Sequence, residues 1–600
     1  MKKIIIITLL ALSGLYSCSV LDKKPLDIIS DSDLWNDPVF IDKYLLECYA
    51  EMGFYNEMQL GGNHDDVASN TPMVALGISD EAHSAWVQTP KTHWINVTGG
   101  VYEWWGYYVV RRLNIFLERL PDSPLNAETC SRKMAEARFL RAFCYFQMVK
   151  RYGGVPLITR SMQLTDSNEV LYAARDTEEA VYDFILEELD DLIDNELLPG
   201  EYGAGDLGRP TIWAAAALKS RAAMYAASIA TWGEKFPQYE NVVGIPSEKA
   251  RHYWTESRDA SDFILTQGPF SLYKKYFDED KTKNYRNIFL DENNCEVIFS
   301  ERFDGKSGKG HSWDHWQNPA AYNSWNEGQG HVVYLEFVES YENVDGSDPK
   351  IDREKVANYH QWTMEELFGK KDPRFAASIY THGTPWTHNG ERVYLDYHQG
   401  VYVGNGEWIE EGVVPEGKPG AGLPAQGIQQ TKWRPSAFGV LKYLDEEAAM
   451  VPERLYSDTD WIVFRLGEIY LNKAEAEMEL GNEPAARAAV NEIRLRAGMP
   501  TFESAITRDQ IRQERKIELA FEGNRYWDLR RWRIAETALT NAWHGLRYKM
   551  DGETGKLYVE IIPDIAGTPV PYFNKMHYYL PIAQWRVSQN PKFIQNPYYN

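Results

Sequence analysis

The sequence predicts a mostly α-helical protein with tetratricopeptide-like helix pairs and a loop-rich region that carries short strands. Apolar residues recur at helical spacing between about residues 37 and 232, and again between residues 461 and 533. From about residue 270 to 445, glycine, proline, tryptophan and asparagine dominate, a composition typical of loops and turns. We therefore expect a helical scaffold that presents long loops, which often carry function.

The first helical region contains two well-marked helices. Phe139, Phe143 and Phe146 recur at helical spacing within residues 138–152, and two glycines follow this run. Thr177 precedes a second periodic stretch and has the side chain of a helix N-cap. Both patterns predict helices that bury one apolar face.

The middle region contains few regular elements. A short apolar run at residues 296–299 predicts a strand. Residues 400–427 are rich in glycine and proline and predict a loop.

The last helical region resembles one tetratricopeptide unit. Val463, Leu466 and Tyr470 begin an apolar stripe, Gly481 marks a turn, and a second apolar stripe follows it. A helix, a glycine turn and a second helix match a repeat of about 34 residues. Stacked pairs of this kind present a rigid surface to another protein.

The N-terminus predicts export and a lipid anchor. Lys2 and Lys3 precede an apolar run at residues 4–15 that is too short to span a bilayer. Residues 15–18 read Leu-Tyr-Ser-Cys, which resembles a bacterial lipobox. We expect residues 1–17 to be a lipoprotein signal peptide and Cys18 to be acylated, which would anchor the chain to a membrane.

Charge and cysteine usage exclude several classes of protein. The formal net charge is −24 at pH 7, so the chain would repel nucleic acid. Four further cysteines are too widely spaced for a zinc ribbon or a disulfide scaffold: Cys48, Cys130, Cys144 and Cys295. We expect Cys144, which lies among aromatic residues, to be a core residue.

Several motifs, in a fixed order along the chain, resemble those of the SusD/RagB family, the lipoprotein partners of outer-membrane nutrient importers in Bacteroidetes. The N-terminal half carries AEARFLRA at 135–142, YGGVPL at 152–157 and GRPT at 208–211. The C-terminal half carries ERKIELAFEGNR at 514–525, WDLRRW at 527–532, YLPI at 579–582 and QNP at 595–597.

This resemblance implies a SusD-like fold and a role in nutrient capture. It implies a lipoprotein of the outer membrane that faces the cell exterior, with a TonB-dependent SusC-like barrel as partner and an oligosaccharide or polysaccharide as ligand. It also implies a non-catalytic protein without a cofactor. The chain then divides into an N-terminal helical region (18–268), a loop-rich ligand-binding region (269–445) and a C-terminal helical region (446–600).

Tryptophans in the predicted loops are the candidate ligand contacts. Trp313, Trp316 and Trp325 lie among asparagine, glutamine, histidine and aspartate, and Trp86 and Trp94 have similar neighbours. An indole ring can stack on the C–H face of a pyranose while polar neighbours bind its hydroxyls. These five residues are the predicted binding site.

Three other functions stay open on the sequence alone. A peptide-binding protein or a purely structural partner of the barrel could use the same scaffold. A glycan-degrading enzyme would need two facing carboxylates, and Glu514, Glu518 and Glu522 share one predicted helical face. We expect these carboxylates instead to be neutralised in ion pairs by nearby arginines: Arg515, Arg525, Arg530 and Arg531.

No metal site is predicted. His311, Asp314 and His315 are flanked by glycines and lack the further ligands of a zinc site. The acidic residues Asp345 and Asp348 lack the spacing of an EF-hand but leave a looser structural calcium site open.

Overall fold

The computed structural model describes residues 31–52, 54, 76–85, 103–322, 328–429, 434–446, 455–565 and 572–599. Helices account for 46% of the chain and strands for 11%, which confirms a mostly helical protein. The described part of the first half begins with α1 (Asp31–Asn36) and α2 (Pro38–Met52). It continues with α3 (Tyr107–Arg119), α4 (Ala127–Tyr152), the short α5 (Asn168–Leu171), α6 (Glu178–Asp194) and α7 (Ile212–Trp232).

The remaining helices fall into three groups. Near the middle of the chain lie α8 (Ala250–Gln267), α9 (Lys281–Arg286), α10 (Trp313–Gln317), α11 (Leu335–Glu339), α12 (Arg353–Ala357), α13 (Met364–Phe368) and α14 (Pro373–Ser378). The C-terminal pair is α15 (Leu466–Glu479) and α16 (Glu483–Ala497). After it come α17 (Arg508–Glu518), α18 (Arg525–Arg531), α19 (Ala535–Ala538) and α20 (Gln584–Gln589).

Polar caps and glycines set the ends of the long helices. The side chain of Thr177 accepts from the Ala180 N–H, as predicted, and thereby satisfies a free donor at the start of α6. Gly153 ends α4 with a φ of 74°, and a Cβ at this position would lie 2.6 Å from Val243. The chain therefore needs glycine here for both its conformation and its close packing.

The helices pack in succession to form the scaffold. Helix α4 packs on α6, α6 on α7, α7 on α8, and α8 on α15, which pairs with α16. Most side chains of the alanine-rich α7 are buried, since small residues allow its neighbours on both sides to approach closely. The predicted pairing of helices around Gly481 is confirmed, because α15 ends at Glu479 and α16 begins at Glu483.

The prediction that a helix includes Val463 is wrong. Residues 461–465 form strand β10 (Trp461–Arg465), which pairs antiparallel with β2 (Val297–Glu301). The run contains Ile462, Val463 and Phe464, whose side chains favour a pleated strand. The helix begins only at Leu466.

Within the described residues the short strands form four small sheets, three of which pair strands of the loop-rich region with strands from other parts of the chain. One sheet has the order β1 (Ala82–Ser84), β3 (His331–Val333), β9 (Gly439–Val440), β4 (Ile379–Tyr380). The hairpin of β5 (Pro385–His388) and β6 (Glu391–Tyr394) forms a separate two-stranded sheet. Another has the order β12 (Leu557–Ile562), β11 (Gly545–Asp551), β7 (His398–Tyr402), β8 (Trp408–Ile409). The 400–427 prediction of a loop is therefore wrong at β7 and β8, because β7 pairs with the distant β11.

One hydrophobic core joins the predicted N-terminal, loop-rich and C-terminal regions. It includes Phe139 and Phe143 of α4, Trp313 of α10, Trp461 of β10 and Trp527 of α18. Cys144 is fully buried within it, as predicted. The loop-rich part is thus attached to the helical scaffold by continuous apolar packing.

Candidate functional site

The predicted tryptophan site lies partly in the core and partly outside the described residues. Trp313 is 1% exposed and Trp316 is 8% exposed. The indole N–H of Trp313 donates to the carbonyl of Lys442 at 2.9 Å, so its polar edge is satisfied inside the protein. Burial gives no support to a stacking role for these two rings, and that role stays a prediction.

The other three predicted residues are Trp86, Trp94 and Trp325, and all three lie outside the described residues. Trp325 follows Tyr322 by three positions in the sequence, and Trp86 follows strand β1 by two. Their assignment as ligand contacts also stays a prediction.

Tyr322 and His388 form a stacked aromatic pair, and Tyr322 is close in sequence to Trp325. We call this pair the Tyr322–His388 surface. The two ring centroids are 4.2 Å apart and the ring planes differ by 18°. Both residues are half-buried, so the pair is held in place and still reaches solvent. The Asn389 side chain lies 3.2 Å from His388 Nε2 and adds a polar group at the edge of the pair.

The β5–β6 hairpin positions His388. Asn389 and Gly390 both have positive φ, 53° and 79°, as a two-residue hairpin turn requires. Cross-strand partners place His388 and the fully buried Trp386 on one face of the hairpin. The Asn-Gly pair in the sequence was a signal for this hairpin that the sequence analysis missed.

Hydrogen bonds tie Tyr322 to the chain beneath it. The Ala321 N–H donates to the side-chain oxygen of Gln429 at 3.0 Å, and the Gln429 N–H donates to the carbonyl of Asp396 at 3.0 Å. Burial raises the pKa of Tyr322 above its usual value. Its hydroxyl is therefore neutral at physiological pH and can both donate and accept hydrogen bonds.

Two histidines contact Asp396, which lies just before β7. Asp396 lies 2.7 Å from His398 Nδ1 and 3.3 Å from His382 Nδ1. Although burial would raise the pKa of Asp396, hydrogen bonds from the two histidines hold it well below its usual value. This carboxylate is thus committed to supporting the fold of the surface.

A second aromatic cluster lies on the β7–β8–β11–β12 sheet. The rings of Tyr402, Trp408 and Tyr558 are 5.0 to 5.8 Å apart, centroid to centroid, in tilted or edge-to-face contacts. Lys549 lies over the Trp408 ring at 4.8 Å. Their ring planes are inclined to one another by 50° to 77°, whereas the planes of the Tyr322 and His388 rings are nearly parallel.

The carboxylates that could have performed hydrolysis are buried in ion pairs. Glu518 bonds to Arg465 at 2.6 Å, to Arg374 at 2.9 Å and also to Arg496, and none of these side chains is more than 1% exposed. Burial would raise the pKa of Glu518, but the three guanidinium groups hold it well below its usual value. Glu518 is fully buried among the described residues, so its carboxylate has no access to a glycosidic bond.

The predicted neutralisation is confirmed, but the predicted arginine partners are wrong. Arg515 pairs with Asp528, Arg525 with Asp80 and Arg531 with Glu475. The partners of Glu514, Glu518 and Glu522 come instead from distant segments of the chain: Arg374, Lys442, Arg465, Arg494 and Arg496. Sequence proximity misled this prediction because α17 ends at Glu518 and the chain turns away.

Within the described residues, no group of three or more histidine, cysteine, aspartate or glutamate side chains is placed to hold a metal ion. His311 contacts the Thr459 carbonyl at 2.8 Å, and burial lowers its pKa to about 4. The Asp345 carboxylate, named above as a loose calcium ligand, pairs with Lys370 at 2.7 Å.

Comparisons with known proteins now bear on this arrangement. A family model described as the SusD family matches residues 295–599, more than half of the chain. The chain belongs to the SusD family. A second model, described as starch-binding and associating with the outer membrane, matches residues 21–224 of this SusD-like protein.

Individual relatives agree with this assignment. A SusD-like protein of known structure from Bacteroides fragilis is 26% identical, with a TM-score of 0.71 over 96% of this chain and 100% of that one. SusD-like protein P25 of Formosa agariphila is 24% identical over 82% of this chain and 77% of its own length. A laminarin-binding SusD-like protein is 19% identical, with a TM-score of 0.58 over 94% of this chain and 100% of that one.

The SusD fold predicted from the motifs is therefore confirmed. SusD family members are non-catalytic binding proteins associated with the outer membrane, and the ion-paired state of Glu514, Glu518 and Glu522 agrees with this. Among the described residues, no helix combines the length and apolar character that crossing a membrane would require.

Proposed function

We propose that this SusD family protein captures an oligosaccharide on the Tyr322–His388 surface and delivers it to a TonB-dependent, SusC-like barrel in the outer membrane. The observation that carries the proposal is the stacked pair itself, whose ring centroids are 4.2 Å apart and whose edge carries a polar side chain. Aromatic faces of this kind suit the C–H face of a sugar ring. Two structural neighbours, a laminarin-binding SusD-like protein and surface glycan-binding protein A from Bacteroides uniformis, support a saccharide as the ligand.

The anchor is part of the same proposal. The lipobox-like residues 15–18 support acylation of Cys18 after removal of residues 1–17. A lipid anchor would hold the protein at the membrane surface next to the barrel while the loops face the medium. Trp86, Trp94 and Trp325 are proposed as further contacts for the same ligand.

Native affinity electrophoresis of residues 19–600 in gels that contain single polysaccharides tests the proposal. We expect one class of neutral glycan to retard the protein. A variant with Tyr322→Ala and His388→Ala should lose at least about tenfold in affinity, because the stacking face is removed.

Tyr394→Ala is the matched control for that variant. Tyr394 is 69% exposed and lies on the same hairpin, opposite Pro385 and off the face that carries His388. Its removal should leave retardation unchanged. Equal retardation of the double variant and the wild type would contradict the proposed surface.

A peptide ligand is the alternative to a saccharide. If no polysaccharide or oligosaccharide binds and a peptide panel gives heat in isothermal titration, the saccharide proposal fails while the family assignment stands. The same titration with the double variant would then tell whether the Tyr322–His388 surface serves peptides.

A further inference from the structure

A separate cavity of about 330 Å³ lies on the helical side of the molecule. We call it the Arg533 pocket and define it by Trp232, Phe236, Arg533, Lys575, Tyr578 and Tyr598. Its wall is formed by residues at and just after the end of α7, residues that follow α18, and residues of the C-terminal segment. It shares no residue with the Tyr322–His388 surface, and its size lies at the lower end of the usual range for small-molecule sites.

Arg533 is held in an unusual backbone conformation. Its φ is 57°, and its N–H donates to the Arg530 carbonyl while the Ile534 N–H donates to the Leu529 carbonyl. This is the helix-ending arrangement in which glycine is strongly favoured, because a side chain at this φ is strained. A strained arginine where glycine would be easier suggests that the side chain itself is used.

The Arg533 guanidinium is fixed at the wall of the cavity. It lies over the rings of Tyr578 and Tyr579, 4.6 and 5.1 Å from their centroids. It donates to the Arg530 carbonyl at 3.1 Å and to the Tyr579 hydroxyl at 3.0 Å. A guanidinium has five N–H donors, so the remaining donors are available to a ligand.

Three guanidiniums at or near the cavity have no direct ion pair within the described part of the chain. Among the described residues, Arg533 has no carboxylate within the 4.0 Å ion-pair distance, and the same holds for Arg512 and Arg530. Arg512 is enclosed between Trp232 and Trp532, 4.9 and 4.8 Å from their ring centroids. Of the three, Arg533 lines the cavity itself and can pair with an anion there.

Two acidic residues also line the cavity. Glu234 is engaged by Lys575 at 3.6 Å and by the Tyr598 hydroxyl at 3.4 Å. Glu536 also lines the cavity, where a carboxylate can accept hydrogen bonds from hydroxyl groups. A guanidinium, carboxylates and aromatic rings thus line one small cavity.

We propose that the Arg533 pocket binds one acidic saccharide unit, a pyranose ring that carries a carboxylate or a sulfate. The anionic group pairs with the free donors of Arg533, and the C–H face of the ring lies against the aromatic wall. The hydroxyl groups donate to Glu536. The Arg533 pocket would be a second saccharide site, one that selects for charge. The class of ligand rests on the proposed function.

Isothermal titration of residues 19–600 tests the pocket with four probes: glucuronate, its methyl ester, glucose 6-sulfate and glucose. We expect glucuronate, glucose 6-sulfate or both to bind, and glucose and the methyl ester to bind at least about tenfold more weakly because they lack the anion. The methyl ester tests the role of charge on the unmodified protein, so this arm does not depend on the folding of any variant. Binding by only one of the two anions assigns the group that the pocket recognises.

Arg533→Gly removes the guanidinium and suits the backbone φ, so we expect a folded protein with at least about tenfold weaker binding of the acidic probe. Arg508→Gln is the matched control, since Arg508 also lies over Trp232, at 5.5 Å, but pairs with Glu479 away from the cavity. Its binding should be unchanged.

Equal binding of glucose and glucuronate, no binding of either anion, or full binding by Arg533→Gly would each overturn the pocket proposal. None of these results affects retardation by a polysaccharide at the Tyr322–His388 surface. Conversely, suppose that the double variant Tyr322→Ala, His388→Ala binds polysaccharide as well as the wild type does. That result would contradict the Tyr322–His388 surface but would not change the expected binding of glucuronate to the Arg533 pocket.

Discussion

An aromatic residue in a polar stretch of sequence can lie in the core or at the surface. Trp313 is an example of the first and Tyr322 of the second. The sequence supplies the ring and its polar neighbours, but the direction of the side chain depends on contacts made elsewhere in the chain. Trp313 turns inward because its N–H meets the Lys442 carbonyl, 129 positions away. Tyr322 reaches the surface because His388 lies beneath it on a hairpin. The sequence therefore identifies aromatic residues in polar surroundings but does not distinguish core rings from surface rings.

Trp313→Ala should destabilise the protein by about 3–5 kcal/mol, because it removes a large ring from a packed core. The measurement is urea unfolding followed by circular dichroism. Trp585→Ala is the control: Trp585 is 54% exposed, so its removal should change the free energy of unfolding by no more than about 0.5 kcal/mol. If Trp313→Ala were as stable as the wild type, the ring would not be the core residue described here.

Helices were predictable where local signals define both ends. Among the strands, β2 was predicted from the apolar run at residues 296–299, whereas β10 was not. Thr177 and Gly481 were identified correctly because a cap and a turn depend on neighbouring residues alone. Strand β10 was taken for a helix because its partner β2 lies more than 150 positions earlier in the chain. Strand pairing of this kind is a property of the tertiary structure and leaves little trace in local periodicity.

Helix α17 gives a test of capping at the scale of one element. The Thr507 side chain accepts from the Gln510 N–H, and Gln510 in turn accepts from the Thr507 N–H. Thr507→Ala should therefore cost about 1 kcal/mol in the free energy of unfolding, as measured in urea.

The control for this cap is Thr266→Ala within α8. The Thr266 hydroxyl donates back to the Asp262 carbonyl at 2.7 Å and caps nothing. Alanine has the higher helix propensity, so this change should be neutral or slightly stabilising. Equal losses for the two threonines would show that the Thr507 cap contributes no special stability.

The whole molecule is joined by a buried ion-pair network that no local pattern could reveal. Glu296 of the loop segment before β2 pairs with Arg465 of β10 at 2.9 Å and with Arg496 of α16 at 2.7 Å. Arg465 and Arg374 of α14 then meet at Glu518 of α17. The motif around Glu518 suggested the family, whereas its partners come from positions 22 to 144 residues away.

This network makes the stability of the protein depend on pH. Glu518 has a folded-state pKa below that of an unfolded glutamate, because three guanidiniums outweigh the effect of burial. Its contribution is therefore fully present above the unfolded pKa of about 4.3 and is lost as the pH falls towards the folded-state pKa. Other buried acids act in the opposite direction: burial raises the pKa of Asp314 and of Glu81 to about 7.

Comparison of the wild type with Glu518→Gln isolates the contribution of this one carboxylate, since the other acids are common to both proteins. At about pH 7 the variant should be less stable by about 3–5 kcal/mol, because three buried guanidiniums lose their shared partner. Between about pH 5 and pH 3 the wild type should lose more stability than the variant, so the two urea-unfolding curves should converge. A difference that stays constant over that range would mean that Glu518 is not held ionised by the network.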